Sequence, residues 1–303
     1  LTAFLPLFAN NILPILLIAA VGFVIQRIFN LDPRPLSQTV FNVFTPALVF
    51  RLLYLTPMNA HQIGQMGILA MASMLLVGAA AWLIARALRL PPRMAAAFLL
   101  VSMFPNAGNY GLSLTDFAFG NEALAWSSVF FIVSSMAINS LGVYIATVGR
   151  SSPGQALKGL LRVPAVYAIP LGLLFRYAQL ELPAPLWRPI ELLSDATIPS
   201  MIIILGLQIS KATFPRENGL LPIALGLRLL FSPAIAFVLV RLMGFQGPAL
   251  QASLIEAAMP TAVLTSVLAL EFDVEPDFVS GTILASTLLS PLTITPLLAI
   301  LGA

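Results

Sequence analysis

The sequence predicts an all-α polytopic membrane protein of ten transmembrane helices. They form a five-plus-five inverted repeat in which helices 4 and 9 are broken near mid-membrane. Three observations predict it. Of the 303 residues, 59% are hydrophobic and only 9% charged, with a mean hydropathy of +0.97, far more apolar surface than a soluble domain of this length needs. The chain divides into ten apolar segments joined by short links. Two of these segments, the fourth and the ninth, carry proline and small polar residues at their centres, where a helix should give way.

The segments run over 5–29, 35–55, 65–88, 93–117, 122–148, 156–178, 189–210, 219–243, 247–270 and 277–301. About 20 residues suffice to cross the hydrocarbon. The longest polar link, 149–155, reads as a cytoplasmic linker between a first repeat (1–148) and a second (156–303). The first residues show no basic stretch followed by a cleavage site, so no removable signal peptide is expected. Cysteine is absent, which excludes thiol chemistry and disulfides.

Basic residues set the orientation. Arg27, Arg34, Arg86, Arg89, Arg93, Arg150, Lys158, Arg162, Lys211 and Arg216 fall in alternate links, against Arg176, Arg188 and Arg241 in the others. The bias places both termini outside the cytoplasm, in the inner (plasma) membrane. Each half holds five segments, an odd number, so the second half enters the membrane upside down. Segments 4 and 9 then run in opposite directions through the same depth.

The first break is Phe104-Pro105-Asn106-Ala107-Gly108-Asn109-Tyr110-Gly111 and the second is Ala257-Ala258-Met259-Pro260-Thr261-Ala262-Val263. Pro105 and Pro260 are 155 residues apart, an offset shared by Arg86 and Arg241, Ala97 and Ala252, and Ser135 and Ser290, while Pro46 and Pro199 pair at 153. Broken backbone at this depth is tolerated only inside protein or beside a water-filled cavity. The second half of each helix begins there with free amides, suited to an anion. The first halves end there with free carbonyls, suited to a cation.

Asn106 and Asn109 are the leading candidates for substrate contact, with helix capping as the alternative. Around them Pro105, Gly108, Tyr110, Pro260, Thr261 and Ala262 complete the candidate binding set. Glu256 lies one turn before Pro260, and an ionisable group there is a functional candidate by default. It ligates Na⁺ together with freed carbonyls such as that of Met259, or carries a proton, or pairs with Arg228 or another buried donor. Arg228 attracts a carboxylate or serves an acid such as Asp195 or Glu256. Arg51 snorkels, and Asp116 sits at the outer end of segment 4. Asn42 and Asn139 are amides that face a cavity or join helices. Thr265 and Ser266 are expected to bond back to their own helix. His61 falls in a short loop, and Glu271, Asp273, Glu275 and Asp277 form a solvated one. No P-loop, metal-ligand spacing or nucleophile elbow is present, so the chain does not read as an enzyme.

At the two breaks the chain resembles the auxin efflux carrier (PIN-like) family. Asn106-Ala107-Gly108-Asn109-Tyr110-Gly111-Leu112-Ser113-Leu114 is similar to its Asn-x-Gly-x-x-Gly-x-Pro-Leu signature, with Ser113 in place of proline. Met259-Pro260-Thr261-Ala262 and Ser286-Thr287-Leu288-Leu289-Ser290-Pro291-Leu292-Thr293 resemble its C-terminal pattern. The chain lacks the long central loop of many plant members and looks like a short bacterial form. The resemblance implies helices 4 and 9 crossing at the site, a scaffold part and a moving part, small organic anions as substrates, and a homodimer. The bile acid sodium symporters share that fold, and their Na⁺-binding glutamate stands at a place similar to Glu256.

The expectation is a secondary transporter of a small carboxylate-type anion working by an elevator-like movement. It has no cofactor, and Na⁺ through Glu256 is its coupling ion, with the lipid bilayer as its surroundings and no nucleic-acid partner. A proton-coupled carrier or uniporter of the same fold, and a channel-like or ligand-sensing protein, are the alternatives.

Overall fold

The computed structural model describes residues 4–147, 163–212 and 219–303. The linker 149–155, with Arg150, Lys158, Arg162 and Arg216 of the charge argument, lies outside the described residues. Among the described residues the helices are, in order, α1 (Phe4–Phe29), α2 (Pro33–Leu55), α3 (Ala60–Ala87), α4 (Pro92–Met103), α5 (Ala107–Ala146), α6 (Ala165–Tyr177), α7 (Ala184–Ile209), α8 (Leu220–Met243), α9 (Gly247–Ala258), α10 (Leu264–Glu271) and α11 (Pro276–Leu301). Seven of these are long and apolar enough to cross a membrane: α1, α2, α3, α5, α7, α8 and α11. The protein is therefore an all-helical polytopic membrane protein. Leu76, Leu83, Leu192, Leu242, Leu292 and Ile300 lie exposed on its outer faces, where lipid rather than water is the natural solvent.

Local chemistry explains the boundaries. Asn59 and Gln62 form a capping box, each side chain holding the other's backbone N–H at 2.9 Å, a standard helix start. So α3 begins at Ala60, ahead of the apolar segment, and His61 lies on its first turn rather than in a loop. Prolines bend the interiors. Phe8–Ile12, Val40–Phe44 and Leu227–Phe231 are wide π-type turns, and Pro14, Pro46 and Pro233 each follow two residues later. Proline has no N–H to offer the preceding turn and its ring pushes that turn's carbonyl aside, and a π turn absorbs the displacement. Gly120, at φ 73 and ψ −168, divides α5, so segments 4 and 5 meet there without an intervening loop.

The helices pack in two groups. In one, α1 lies along α7, α6 along α2, and α2 against α7. The α1–α7 approach is backbone to backbone. A Cβ on Gly206 would strike the Ala19 carbonyl, and one on Gly22 the Ile203 carbonyl. Small residues at such crossings permit close packing in lipid. The other group holds α3 against α4, α5 and α8, with α9 on α5 and α8 and α11 beside α4 and α9. The groups meet through α7, whose Ile202 and Leu205 share a buried cluster with Phe104, Tyr110 and Met259.

Candidate functional site at the crossing

The gap between α4 and α5 and the gap between α9 and α10 lie against each other. Pro105 stands opposite Thr261 in an antiparallel bridge. The Asn106 N–H donates to the Pro260 carbonyl at 2.8 Å, and the Ala262 N–H donates to the Phe104 carbonyl at 2.9 Å. An interrupted helix leaves backbone groups that hydrocarbon cannot satisfy, and here each break satisfies the other. Exchanging the two bonds maps Asn106 onto Ala262 and Phe104 onto Pro260. The counterpart of Pro105 is thus Thr261, one residue beyond the 155 offset that pairs the prolines.

This corrects the expectation of free backbone ends on two counts. The amides of Asn106 and Ala262 are engaged, and the Thr261 N–H reaches Ser286 Oγ at 3.2 Å. The carbonyl ends are engaged as well. Arg228, placed by the π turn of α8, is 1% exposed. Its Nη1 donates to the Ser102 and Met103 carbonyls at 3.1 Å each, at the end of α4. Its Nη2 donates to the Ala257 carbonyl at the end of α9 and to Ser232 Oγ. Ser232 Oγ also donates to Ala257 O, at 2.8 Å. One guanidinium therefore caps both half-helices. It pairs neither with Asp195, which pairs with Arg51, nor with Glu256, whose two oxygens have no hydrogen-bond partner.

Around this frame are polar groups with open valences. Asn106 and Asn109 are each 5% exposed. Asn106 Nδ2 and Asn109 Oδ1 have no partner, while Asn109 Nδ2 donates to Gln208 Oε1 of α7 at 3.1 Å. Tyr110 is fully buried with Ser290 beside its hydroxyl. Glu256 is fully buried next to Ser127, and its carboxylate lies where a Cβ on Gly111 would stand. Ser127 Oγ in turn donates to Thr115 Oγ1 at 2.9 Å. Gly108 packs on the Phe131 ring. Met259 and Ala262 are buried in the apolar cluster.

Other candidates have local duties. Thr261 Oγ1 donates to the Val101 carbonyl at 2.8 Å, a third stitch between the breaks. Thr265 and Ser266 bond back within their own turn, as intramembrane hydroxyls tend to. Asn42 is exposed and donates to Gln38 O at 2.8 Å. Asn139 donates to Ser135 O at 2.8 Å. Neither amide bonds to the crossing, because each finds a carbonyl one turn back. In the acidic loop, Asp273 pairs with Arg93 at 2.7 Å. Sequence reasoning missed Gln208, whose signal was an amide directly after the apolar run 201–207. It also missed Ser127 and Thr115, hydroxyls without a motif, and gave no role of its own to Ser286, quoted only as part of the C-terminal pattern. Among the described residues no three His, Cys, Asp or Glu side chains gather as a metal site.

Comparison with known proteins identifies the family. The family model described as "Membrane transport protein" matches residues 7–153 and 150–298. An uncharacterized transporter of Methanothermobacter thermautotrophicus is 28% identical over 286 residues, 93% of this chain and 94% of that protein. A probable auxin efflux carrier component 1b of Oryza sativa is 30% identical over 144 residues, 45% of this chain and 26% of that protein. A putative malonate transporter of Rhizobium meliloti is 26% identical over 203 residues, 64% of this chain and 63% of that protein. The relatives are transporters and not enzymes, and the chain belongs to the membrane transport protein family, in which the PIN-like auxin efflux carriers also fall.

Proposed function

We propose that the chain is a secondary transporter of small carboxylates whose binding site is the crossing. The observation that carries this reading is a fully buried cluster of unpartnered polar atoms, Asn106 Nδ2, Asn109 Oδ1 and both Glu256 oxygens, beside two interrupted helices. Buried groups without partners are rare and need an explanation. Here it is a solute and an ion that complete them. Auxin and malonate, named for two relatives, are carboxylates. Asn106 and Asn109, together with the first amides of α5, suit that group.

Counting α4 with the start of α5 as one span, and α9 with α10 as another, gives ten spans. The α1–α7 packing then has its mirror in α6–α2, as an inverted repeat requires. The bias of Arg27, Arg34, Arg86, Arg89, Arg93 and Lys211 puts both termini outside the cytoplasm. The crossing is stitched to itself, so it travels as a unit with α3, α4, α5 and α8–α11. The helices α1, α2, α6 and α7 form the frame it slides against, an elevator-like cycle.

Glu256 is the residue for Na⁺, since a hard cation prefers oxygen donors. NaCl is expected to raise the melting temperature of the purified protein above that in choline chloride, and Glu256→Gln to remove the difference. Equal melting of the parent protein in both salts points instead to proton coupling or uniport. In proteoliposomes, substrate on the far side is expected to accelerate labelled uptake. Uptake indifferent to substrate on the far side would mark a pore.

A further inference from the structure

We infer that Arg228 is a built-in cation standing at the position a coupling ion would otherwise take, so that any cation carried with the substrate is held by Glu256 alone. The inference rests on the crossing as the transport site and goes on to its ion count. Half-helix C-termini and unwound carbonyls are where carriers of this general build coordinate Na⁺ or a proton. Each such end bears roughly half a negative charge. Two of them meet in this chain, at Ser102 and Met103 and at Ala257, and one guanidinium reaches both. The charges match: two half-charges against one fixed positive charge. Arg228 is buried, no carboxylate among the described residues forms a salt bridge with it, and its Nη2 is also held by Ser232. A guanidinium anchored by its own side chain cannot leave with the substrate. The ends are thus neutralised through the whole cycle, and Glu256 is, among the described residues, the acid at the crossing whose oxygens have no hydrogen-bond partner.

The test uses melting curves of the full chain in detergent, in a Glu256→Gln background that removes the other cation site. In that background the parent is expected to melt alike in NaCl and choline chloride. Adding Arg228→Ala is expected to lower the melting point in choline by several degrees and to make it rise in NaCl, because the vacated carbonyls accept Na⁺. Adding Arg228→Lys, which keeps a charge there and serves if the alanine variant does not fold, is expected to stay insensitive to the salt. The inference is overturned if Arg228→Ala is destabilised equally in NaCl and choline chloride, for then the vacated carbonyls accept no cation. It is also overturned if Arg228→Lys acquires a Na⁺ response. No substrate is needed, so this result is independent of whether carboxylates are the cargo.

Discussion

Replacing both Asn106 and Asn109 by alanine is expected to lower carboxylate uptake in proteoliposomes by about a hundredfold or more, with the folded fraction unchanged. A hydrogen bond to a charged group contributes about 1.5–3 kcal/mol, and about 1.4 kcal/mol is tenfold in affinity. Two such bonds lost together give at least that decline. Stability should hold because the breaks are joined by other atoms: the Asn106 backbone N–H, the Ala262 N–H, the Thr261 hydroxyl and the Arg228 fork. Alanine keeps that backbone bond. Only the Asn109–Gln208 contact is lost, and its release leaves Gln208 half-buried rather than sealed from solvent. Monodisperse protein with full uptake in the double variant would take the two amides out of the site.

Gly111→Ala is expected to destabilise the protein by about 1–3 kcal/mol, as overpacked cores do, and to abolish the Na⁺ response. The added Cβ falls on the Glu256 carboxylate itself, so the acid must leave its place beside Ser127. A second-site change separates the two effects. Gly111→Ala with Glu256→Ser should recover most of the stability, since the shorter side chain vacates the overlap. It should not recover the response to Na⁺. Such coupling between touching residues is what a double-mutant cycle reads. A Gly111→Ala variant with parental melting and parental Na⁺ response would show that Glu256 is not pinned there.

Much of the fold was legible because hydrocarbon imposes simple rules. Long apolar stretches need little tertiary information, seven of the described helices are long and apolar enough to cross a membrane, and the breaks at Pro105 and Pro260 fall where proline puts them. Less legible was what the loose ends do. Free amides and carbonyls were expected to wait for a ligand, yet the Asn106 and Ala262 amides bond across to the other break and Arg228 takes the Ser102, Met103 and Ala257 carbonyls. That pairing joins residues about half a chain apart, such as Asn106 with Pro260, and no local pattern encodes it. Arg228 was noticed as costly, but its partners are backbone carbonyls, which carry no sequence signature. Asn42 and Asn139 looked like site residues from their type alone, whereas helix geometry gives each a carbonyl one turn back. Gln208 shows the reverse: an unremarkable amide on α7 becomes part of the crossing only because α7 packs across it.

The central claim, that the crossing of α4–α5 with α9–α10 holds a small carboxylate, is tested most directly by ligand-dependent melting. A panel of carboxylates led by malonate and an indole carboxylate would be added to the purified parent and to Asn106→Ala/Asn109→Ala. At least one acid should raise the melting temperature of the parent and leave that of the variant unchanged. An acid that stabilises both proteins equally would show that its site lies elsewhere in the molecule.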